Sequence, residues 1–421
     1  MIVPSIDIVA GQAVQLVGGE ALALEAGNPR PILERFSLAG EVAVIDIDAA
    51  RGEGDNSALI AELCRMAPVR VGGGIRDLET ARRWLDLGAE KVIIGTAAEP
   101  KLVAALPRER VIVALDTKYG EVVTHGWRRS GGRDLWTAVE AFAGLAGGFL
   151  VTFVEREGRM AGTDLDRAAR VVEAAGDARV TIAGGVTSPE EVAALDRIGA
   201  DTQVGMALYT GELGLAEAIA APLVSDRVDG LWPTVVVDEH GTALGLTWSD
   251  LESLSVAVET QRGVYRSRSR GLWVKGEKSG AVQELLRIDL DCDRDALRFQ
   301  VRQADPGFCH QATRTCWGED RGLHRLSRRL RDIVATSPEG SNTARLASDP
   351  DLLAAKLCEE AAELAEAGSP PEIAAEAADL LYFLLVKAAA AGVDLGEIES
   401  LLDRRERRVT RRPMEAKEME R

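Results

Sequence analysis

Short apolar runs alternate with longer stretches of helical pattern over the first half of the chain. A continuous apolar run bounded by glycine or polar residues is typical of a strand that is buried on both faces. Eight runs fit this description: Ile2–Ile6, Val42–Ile47, Val69–Val71, Lys91–Ile94, Val111–Leu115, Phe149–Val151, Val180–Ala183 and Thr202–Val204. Eight such units over residues 1–223 predict a (β/α)8 barrel, and an open doubly wound sheet is the alternative.

An internal repeat favours the closed barrel over the open sheet. Three pairs of segments recur with an offset of 110 or 111 residues: Val71–Asp77 with Ile182–Ser188, Leu87–Ala89 with Ile198–Ala200, and Ile94–Ala97 with Val204–Ala207. Asp7 and Asp116, at the ends of the first and fifth predicted strands, lie 109 residues apart. The repeat therefore predicts two half-barrels with acids in equivalent positions.

Glycine-rich turns follow strands in both predicted half-barrels. Glycine lets backbone N–H groups approach phosphate oxygens closely, often with a helix N-terminus behind them. Taken alone, a Gly-Gly pair is usually only a tight turn and an Asp at a strand end is often a cap. Because both features are paired across the repeat, we predict a substrate with a phosphate at each end. The predicted binding residues are Gly73, Gly74, Gly184, Gly185 and Gly205.

The middle of the chain concentrates metal-binding residue types. Read as a strand, Asp291–Asp295 places Asp291, Asp293 and Asp295 on one face and Cys292 on the other, and three oxygen donors suit Mg²⁺. Three thiolates suit Zn²⁺ and leave one coordination position open for water, as in a catalytic site. The predicted zinc ligands are Cys292, Cys309 and Cys316. An EF-hand is excluded, because the loop positions that require Gly and Glu hold Ala296 and Arg302.

Acidic pairs at helical spacing mark the last hundred residues. A first helix carries Glu359, Glu360 and Glu363, and a second helix, after Pro370-Pro371, carries Glu376 and Asp379. Neighbouring like charges on a helix are unfavourable unless a cation lies between them. We interpret the five acids as Mg²⁺ ligands, and a solvated acidic helix face is the alternative.

Composition limits the possible functions further. The 421 residues are 46% hydrophobic and 28% charged, which fits two or three globular domains. The net charge of -17 argues against a nucleic-acid partner. We expect no secretory signal at the N-terminus and no membrane span, because the longest apolar stretch, near residues 380–393, is too short. Five cysteines, three of them assigned to metal, suit a reducing cytoplasm.

Residues 225–318 resemble phosphoribosyl-AMP cyclohydrolase, which hydrolytically opens an adenine ring in histidine biosynthesis. The resemblance rests on Tyr265–Arg270, Leu272–Gly280, the Asp-Cys-Asp-x-Asp run and Cys-His-x5-Cys. It implies a zinc-activated water, Mg²⁺ at the aspartates and a proton-transfer role for His310. Arg268, Arg270 and Lys275 are then phosphate ligands. The chain departs from the family pattern at Ala281, where His is common, and at Leu244–Trp248, where Leu-Met-x-Ala-Tyr-Met is usual.

Residues 1–223 resemble the isomerase of the same pathway, which converts an aminoaldose ribotide to an aminoketose. The motifs are Pro4–Asp7, Asp46–Gly52, Val71–Arg76, Gly126-Trp127 and Gly205–Gly211. The resemblance implies that Asp7 is the base, that Asp116 is its partner across the barrel, and that Arg76 and Trp127 contact the substrate. Two departures stand out. Gln15 replaces a usual Arg, and Glu157 occupies the position of the Asp thought to donate a proton.

Residues 322–410 resemble phosphoribosyl-ATP pyrophosphohydrolase, through Ser341–Arg345, the acidic pattern and Leu380–Phe383. The resemblance implies that Mg²⁺ clamps the phosphates of the nucleotide. Asn342 and Phe383 replace a usual Tyr and His. We expect residues 411–421 to form a frayed tail.

The three resemblances name consecutive reactions, in reverse order along the chain. The sequence therefore predicts a trifunctional enzyme of histidine biosynthesis that uses Zn²⁺ and Mg²⁺, acts on phosphoribosyl nucleotides and forms at least a homodimer. Two alternatives remain open. In one, the barrel is a catalytically weak scaffold or binding module; in the other, the C-terminal helices form a general nucleotide house-cleaning hydrolase.

Overall fold

A computed structural model describes residues 1–18, 21–124, 129–157, 162–269 and 271–411. The chain divides into two compact units. The first unit is Met1–Phe308 together with the chain from Arg407 on, and the second unit is Cys309–Glu406. Among the helices that fall within these described ranges, none combines the length and the hydropathy that a membrane crossing requires.

The first 223 residues form a closed barrel of parallel strands. Their strands are β1 (Ile2–Val9), β2 (Gln12–Val17), β3 (Ala21–Gly27), β4 (Val42–Asp46), β5 (Val69–Gly72), β6 (Lys91–Ile94), β7 (Val111–Lys118), β8 (Glu121–Thr124), β9 (Arg129–Asp134), β10 (Gly148–Phe153), β11 (Arg179–Ala183) and β12 (Ala200–Val204). The parallel pairing runs β1-β4-β5-β6-β7-β10-β11-β12 and returns to β1, which closes the barrel. All eight predicted runs are barrel strands, and the (β/α)8 prediction is confirmed.

Helices follow the barrel strands in alternation. They are α1 (Pro29–Phe36), α2 (Ile47–Arg51), α3 (Ser57–Met66), α4 (Leu78–Leu87), α5 (Pro100–Val103), α6 (Leu135–Phe142), α7 (Leu165–Ala175), α8 (Pro189–Arg197), α9 (Met206–Thr210) and α10 (Leu215–Ala220). The internal repeat extends to their caps. Asp77 caps α4 by accepting from Thr80 N, and Ser188, 111 residues later, caps α8 by accepting from Glu191 N.

The barrel has a core of its own inside the ring of strands. A buried layer there consists of Val3, Ala43, Ile93, Ile112, Leu150 and Ala183. Each of these residues comes from a different strand, as expected for the layered interior of such a barrel. The interior is therefore packed, and space for a ligand lies beyond this layer.

The central segment contains a small sheet, a hairpin and one helix. Its elements are β13 (Trp232–Asp238), β14 (Ala243–Ser249), α11 (Leu251–Thr260), β15 (Val264–Ser267), β16 (Gly271–Val274), β17 (Gln283–Leu290) and β18 (Leu297–Gln303). The sheet order is β14-β13-β18-β17, and β15 pairs with β16 alone. Buried side chains of this segment, such as Phe299 and Leu254, belong to the same apolar cluster as the barrel helices. The predicted mostly-β fold is confirmed, and this segment and the barrel share a core.

One local prediction was wrong: Asp291–Asp295 is not a strand. These residues form the turn that joins β17 to β18. Arg294 has a φ of 65°, a left-handed conformation that an extended strand excludes. The Oδ1 atom of Asp291 accepts hydrogen bonds from the backbone N atoms of Asp295, at 3.0 Å, and Ala296, at 3.1 Å, which closes the turn.

The second unit is helical, as predicted. Its helices are α12 (Leu323–Thr336), α13 (Asn342–Ser348), α14 (Pro350–Glu366), α15 (Pro370–Ala390) and α16 (Leu395–Glu406). Its core consists of Leu330, Leu346, Leu353, Leu385, Val386 and Leu395. Ser369 caps α15 with Pro370 at the first helical position, so the Pro-Pro pair begins a helix and separates it from α14.

After α16 the chain returns to the first unit. The backbone N atoms of Val409 and Thr410 donate to Asp86 Oδ1 at 2.8 and 3.1 Å, and the Arg407 guanidinium pairs with Glu90. The chain is thus attached as far as Thr410. The predicted frayed tail at 411–421 falls almost entirely outside the described residues. The domain limits at 1–223, 225–318 and 322–410 stay predictions.

Candidate active sites

Three carboxyl side chains meet at the mouth of the barrel. Asp7 lies near the end of β1, Asp116 lies in β7, and Glu157 lies in the turn after β10. All three line one cavity of about 540 Å³. Because the loops after the strands form this end of a (β/α)8 barrel, the cavity lies where the chemistry of this fold is usually found.

Burial perturbs two of these acids strongly. It raises the pKa of the Asp7 carboxyl from its usual 3.8 to about 7. Burial, followed by the charges of Asp7 and Asp116, raises the pKa of Glu157 from 4.5 to about 7. Near neutral pH the pair therefore contains both protonated and ionised carboxyls. Such a pair can donate one proton and accept another at the same pH.

Both predicted phosphate turns border this region. Gly73 and Gly74 line the large cavity, whereas Gly184, Gly185 and Gly205 line an adjoining pocket of about 40 Å³. Glu157 lines both spaces, so it lies between the two turns. Close backbone packing also requires glycine at two of these positions. A Cβ on Gly73 would lie 2.2 Å from the Asp46 carbonyl oxygen, and one on Gly184 would lie 2.7 Å from that of Phe153.

Gln15 lies at the second turn. Its side chain is 4% exposed, and its Nε2 donates to the Val14 carbonyl oxygen at 2.9 Å. A Cβ on Gly205 would lie 2.6 Å from Gln15 Oε1, so the amide packs closely against this glycine. The residue that replaces the usual Arg therefore places a neutral group beside the predicted phosphate turn.

Arg76 borders the large cavity and also supports its wall. Its Nη2 donates to the carbonyl oxygens of Ala49 and Ala50, at 3.0 Å each, at the end of α2. Trp127, the predicted stacking residue, lies outside the described residues.

Tyr209 in α9 is a neighbour of Asp7 that the sequence analysis missed. Its hydroxyl is buried, and the structure gives it no hydrogen-bond partner among the described residues. Burial and then the charge of Asp7 raise the pKa of this hydroxyl. The Gly205–Gly211 motif was the available signal, since it places Tyr209 one helical turn after the second phosphate turn.

The central acids come together despite the wrong strand prediction. Oxygens of Asp291, Asp293 and Asp295 all lie within 4.8 Å of one another. Burial raises the pKa of Asp291, but the hydrogen bonds from Ala296 and Asp295 outweigh burial and lower it overall. The hydrogen bond with Asp291 raises the pKa of Asp295. Closely spaced carboxyls are expected to share a proton when no cation lies between them. Three oxygen donors also suit Mg²⁺.

Two of the predicted zinc ligands lie together in the second unit. A hydrogen bond from the Gln311 backbone N, followed by contacts with Thr313 and Cys316, lowers the pKa of the Cys309 thiol. The His310 Nδ1 lies 3.9 Å from the Cys309 sulfur. Zinc binds the thiolate form of cysteine, which a lowered pKa favours. Cys292 belongs to the first unit, and its part in the zinc site stays a prediction.

The predicted phosphate ligands of the central segment differ in exposure. Lys275 is 6% exposed, and its ammonium lies 5.3 Å from the centre of the Phe308 ring. Arg268 is exposed in the turn after β15, where its guanidinium lies 5.5 Å from the centre of the Trp248 ring. Arg270 lies outside the described residues.

The acidic helices α14 and α15 bring their carboxylates together. Oxygens of Glu360, Glu376 and Asp379 lie within 4.8 Å of one another, although Glu360 is only 6% exposed. Burial, followed by the charges of Glu363, Asp379 and Glu360, raises the pKa of Glu376. These four acids therefore form one electrostatic cluster, the arrangement that a divalent cation would relieve.

Lys356, one helical turn earlier in α14, was not predicted. Its ammonium lies 2.9 Å from Glu359 and 3.1 Å from Glu360. Glu359 is about half exposed and pairs with this lysine. Of the five predicted metal ligands, Glu359 forms the shorter ion pair with Lys356 and lies at the edge of the cluster. The spacing of Lys356 from the acids was the signal that could have found it.

Comparison with known proteins assigns families to all three parts of the chain. The family described as histidine biosynthesis protein matches residues 1–214, phosphoribosyl-AMP cyclohydrolase matches 245–318, and phosphoribosyl-ATP pyrophosphohydrolase matches 323–406. The first match covers half of the chain, and the chain belongs to the histidine biosynthesis protein family. It is a fusion of an isomerase-like barrel with a cyclohydrolase domain and a pyrophosphohydrolase domain.

Individual relatives agree with this assignment. A histidine biosynthesis trifunctional protein of Neurospora crassa is 53% identical over 207 residues, 49% of this chain and 24% of its own. A histidine biosynthesis bifunctional protein of Schizosaccharomyces pombe is 50% identical over 206 residues, 49% of each chain. An imidazole-4-carboxamide isomerase of Gemmatimonas aurantiaca, whose name specifies two 5-phosphoribosyl groups, is 41% identical over 225 residues, 50% of this chain and 94% of its own. The chain thus spans a quarter to a half of the length of the two fungal relatives.

Proposed function

We propose that this chain catalyses three consecutive reactions of histidine biosynthesis. It releases pyrophosphate from phosphoribosyl-ATP, opens the adenine ring of phosphoribosyl-AMP and isomerises the resulting aminoaldose to the aminoketose. The observation that carries the proposal is that each matched family region contains its own cluster of acids or thiols.

In the barrel, we propose that Asp7 removes the C2′ proton of the substrate and that Glu157 protonates the ribose ring oxygen. Both roles need a carboxyl whose pKa is near the working pH, and burial raises both pKa values to about 7. The two glycine turns on either side of Glu157 suit a substrate with a phosphate at each end. The two phosphoribosyl groups in the name of the bacterial relative support this assignment.

In the central domain, Cys292, Cys309 and Cys316 would hold zinc, and Asp291, Asp293 and Asp295 would hold Mg²⁺. The residues fit these ions, since hydrogen bonds lower the pKa of the Cys309 thiol and the aspartate oxygens converge. A zinc ion there would supply a water acidic enough to attack the purine at neutral pH. His310 would move the proton, because its ring nitrogen lies beside Cys309.

In the helical domain, Glu360, Glu363, Glu376 and Asp379 would hold Mg²⁺ against the phosphates, with Glu359 at the edge of the cluster. Glu360 supports this role because it is nearly buried and yet faces two further carboxylates. Lys356 compensates part of the charge of Glu360, and a divalent cation would also compensate the neighbouring carboxylates of Glu376 and Asp379. The competing house-cleaning hydrolase predicts comparable release of pyrophosphate from common nucleoside triphosphates.

One experiment tests the whole proposal. Purified protein is incubated with phosphoribosyl-ATP, Mg²⁺ and zinc, and each product is identified by mass and absorbance. We expect pyrophosphate, the ring-opened aldose and the ketose to accumulate in that order. Ring opening without ketose formation would remove the isomerase and favour the alternative in which the barrel is a scaffold.

The scaffold alternative has a specific motivation in Gln15 and Glu157. Under our proposal, Glu157→Asp preserves or raises the rate of isomerisation, and Glu157→Gln lowers it. If the barrel is a scaffold, wild-type isomerisation equals the uncatalysed rate, and neither change has an effect. Retention of full rate in Glu157→Gln would instead transfer the donor role to Asp116.

We also propose that the chain works as at least a homodimer, on the basis of the cyclohydrolase resemblance. Sedimentation of the zinc-loaded protein tests this, and a stable, active monomer would contradict it. A cytoplasmic location stays a prediction from the five cysteines.

A further inference from the structure

Arg266 and Arg268, in the Arg-Ser-Arg-Ser-Arg run, make different kinds of side-chain contact. The Arg266 Nε lies 3.2 Å from Asp250, and its Nη1 lies 2.6 Å from Glu252, so two carboxylates neutralise it. Arg268, two residues later, pairs with no carboxylate among the described residues. Its guanidinium carbon lies 5.5 Å from the centre of the Trp248 ring. The positive charge of Arg266 is therefore compensated by carboxylates that also occupy its N–H donors, whereas the contact of Arg268 is with an aromatic ring.

The end of strand β14 accounts for this difference. Thr247 and Ser249 are buried, and Ser249 Oγ accepts from Thr234 Oγ1 at 2.7 Å. Because side chains alternate along a strand, Trp248 points to the opposite, partly exposed face. Asp250 follows two residues later and binds Arg266. The end of β14 and the residue after it thus contact Arg266 through the Asp250 carboxylate and Arg268 through the Trp248 ring.

A second guanidinium fixes the indole itself. Arg227 lies 4.0 Å from the centre of the Trp248 ring. Arg227 is in turn neutralised by Asp229 through two hydrogen bonds of 2.8 and 2.7 Å. The Trp248 ring is therefore held by a charge-paired arginine, while Arg268 forms no ion pair within the part of the chain that the structure describes.

An aromatic contact orients an arginine without using its N–H groups. A carboxylate occupies two donors and cancels the charge, whereas a ring face attracts the cation and leaves its edge available for a phosphate. We propose that Trp248 is a positioning residue that presents Arg268 to the phosphate of the ring-opening substrate, and that Arg266 is structural. This inference rests on the proposed cyclohydrolase function and adds to it a residue outside the predicted site.

The test compares variants of the full chain in the opening of phosphoribosyl-AMP. Trp248→Leu should raise KM about two- to fivefold, the range expected for one exposed cation–π contact, with little change in kcat. Trp248→Phe retains a ring and should restore most of the loss. Trp136→Leu is the matched control, because Trp136 makes a similar contact with Arg170, at 4.2 Å, in the barrel. It should leave this KM unchanged.

A double variant separates positioning from general destabilisation. Arg268→Met should raise KM by about tenfold or more, as loss of a charged hydrogen bond does. Trp248→Leu combined with Arg268→Met should then be no worse than Arg268→Met alone, because Trp248 acts through Arg268. Additive effects, or an unchanged KM in Trp248→Leu, would overturn the inference.

Failure of the proposed function would look different. If the wild type does not open phosphoribosyl-AMP, the cyclohydrolase assignment fails. The inference is then tested by calorimetric binding of phosphoribosyl-AMP to zinc-free protein. Weaker binding in Trp248→Leu and recovery in Trp248→Phe would still support it, and equal binding in all three proteins would reject it.

Discussion

The partly buried acid Asp7 should limit the stability of the protein while it serves the reaction. Asp7→Asn keeps the shape of the side chain and removes its charge, so it should abolish isomerisation because an amide cannot accept the C2′ proton. The same change should stabilise the first unit at neutral and alkaline pH. A variant that is inactive and yet more stable is the expected result for an acid buried for function.

The sign and the size follow from the raised pKa of Asp7. Between pH values of about 4 and 7, the native carboxyl holds a proton that the unfolded chain has lost, so the free energy of unfolding falls as the pH rises. A rise from 3.8 to about 7 corresponds to about 4 kcal/mol above pH 7. Glu157 shares part of this penalty through its charge interaction with Asp7. We therefore expect a gain of about 2–4 kcal/mol at about pH 8 and almost none at about pH 4.

Urea unfolding of the wild type and the variant across this pH range measures the effect. Asp166→Asn is the control, because Asp166 is exposed in the first turn of α7 and loses no burial penalty. Our reasoning would be refuted by a variant no more stable than the wild type at about pH 8, or by a gain of equal size at about pH 4, since linkage requires a pH-dependent difference.

Three further predictions concern the other domains. Glu363→Gln should reduce pyrophosphate release steeply and leave the opening of added phosphoribosyl-AMP intact; unchanged release would make the acids a surface feature. Cys309→Ser should lose both zinc and ring opening, whereas Cys358→Ser, at an exposed cysteine of α14, should lose neither; metal analysis decides. Gln283→Leu should destabilise the first unit by about 1–3 kcal/mol, because it removes the acceptor of the buried Tyr265 hydroxyl, 2.7 Å from Gln283 Oε1, and breaks the 2.8 Å hydrogen bond from Gln283 Nε2 to Gln303 Oε1. An unchanged urea midpoint would count against that buried network.

The barrel was predictable because its strands are buried on both faces. Such strands appear in sequence as plain apolar runs, which gave their number, and the repeat favoured the closed barrel over an open sheet. The hairpins β2–β3 and β8–β9 were not predicted. Gln15 interrupts the apolar residues of β2, and β3 is largely exposed although it begins with the apolar run Ala21–Leu24, so neither strand has the pattern of one buried on both faces.

The candidate sites were predictable where a local pattern or the internal repeat marks their residues, as it does for Asp7 and Asp116, which line one cavity. The aspartates of Asp291–Asp295 were found, although their backbone conformation was wrong. Alternation along a strand cannot reveal a left-handed residue such as Arg294. Tyr209 and Trp248 were missed because their roles depend on neighbours that the fold brings close. Lys356 was missed although its partners Glu359 and Glu360 lie one helical turn away in sequence. Nothing in the local sequence marks Trp248 as the partner of Arg227 and Arg268.

The acidic clusters of the helical domain and of the barrel mouth differ in the positive charge beside them, and the neutral side chain of Gln15 fits this difference. In the helical domain, Lys356 pairs with Glu359 and Glu360 and compensates part of the charge of the acidic cluster. At the barrel mouth, proton transfer needs the raised pKa values of Asp7 and Glu157, which a nearby cation would lower. Gln15 packs against Gly205, and Gly205 lines the same small pocket as Glu157. A neutral amide in place of the usual Arg therefore adds no positive charge beside Glu157, which is compatible with a carboxyl that must remain partly protonated near neutral pH.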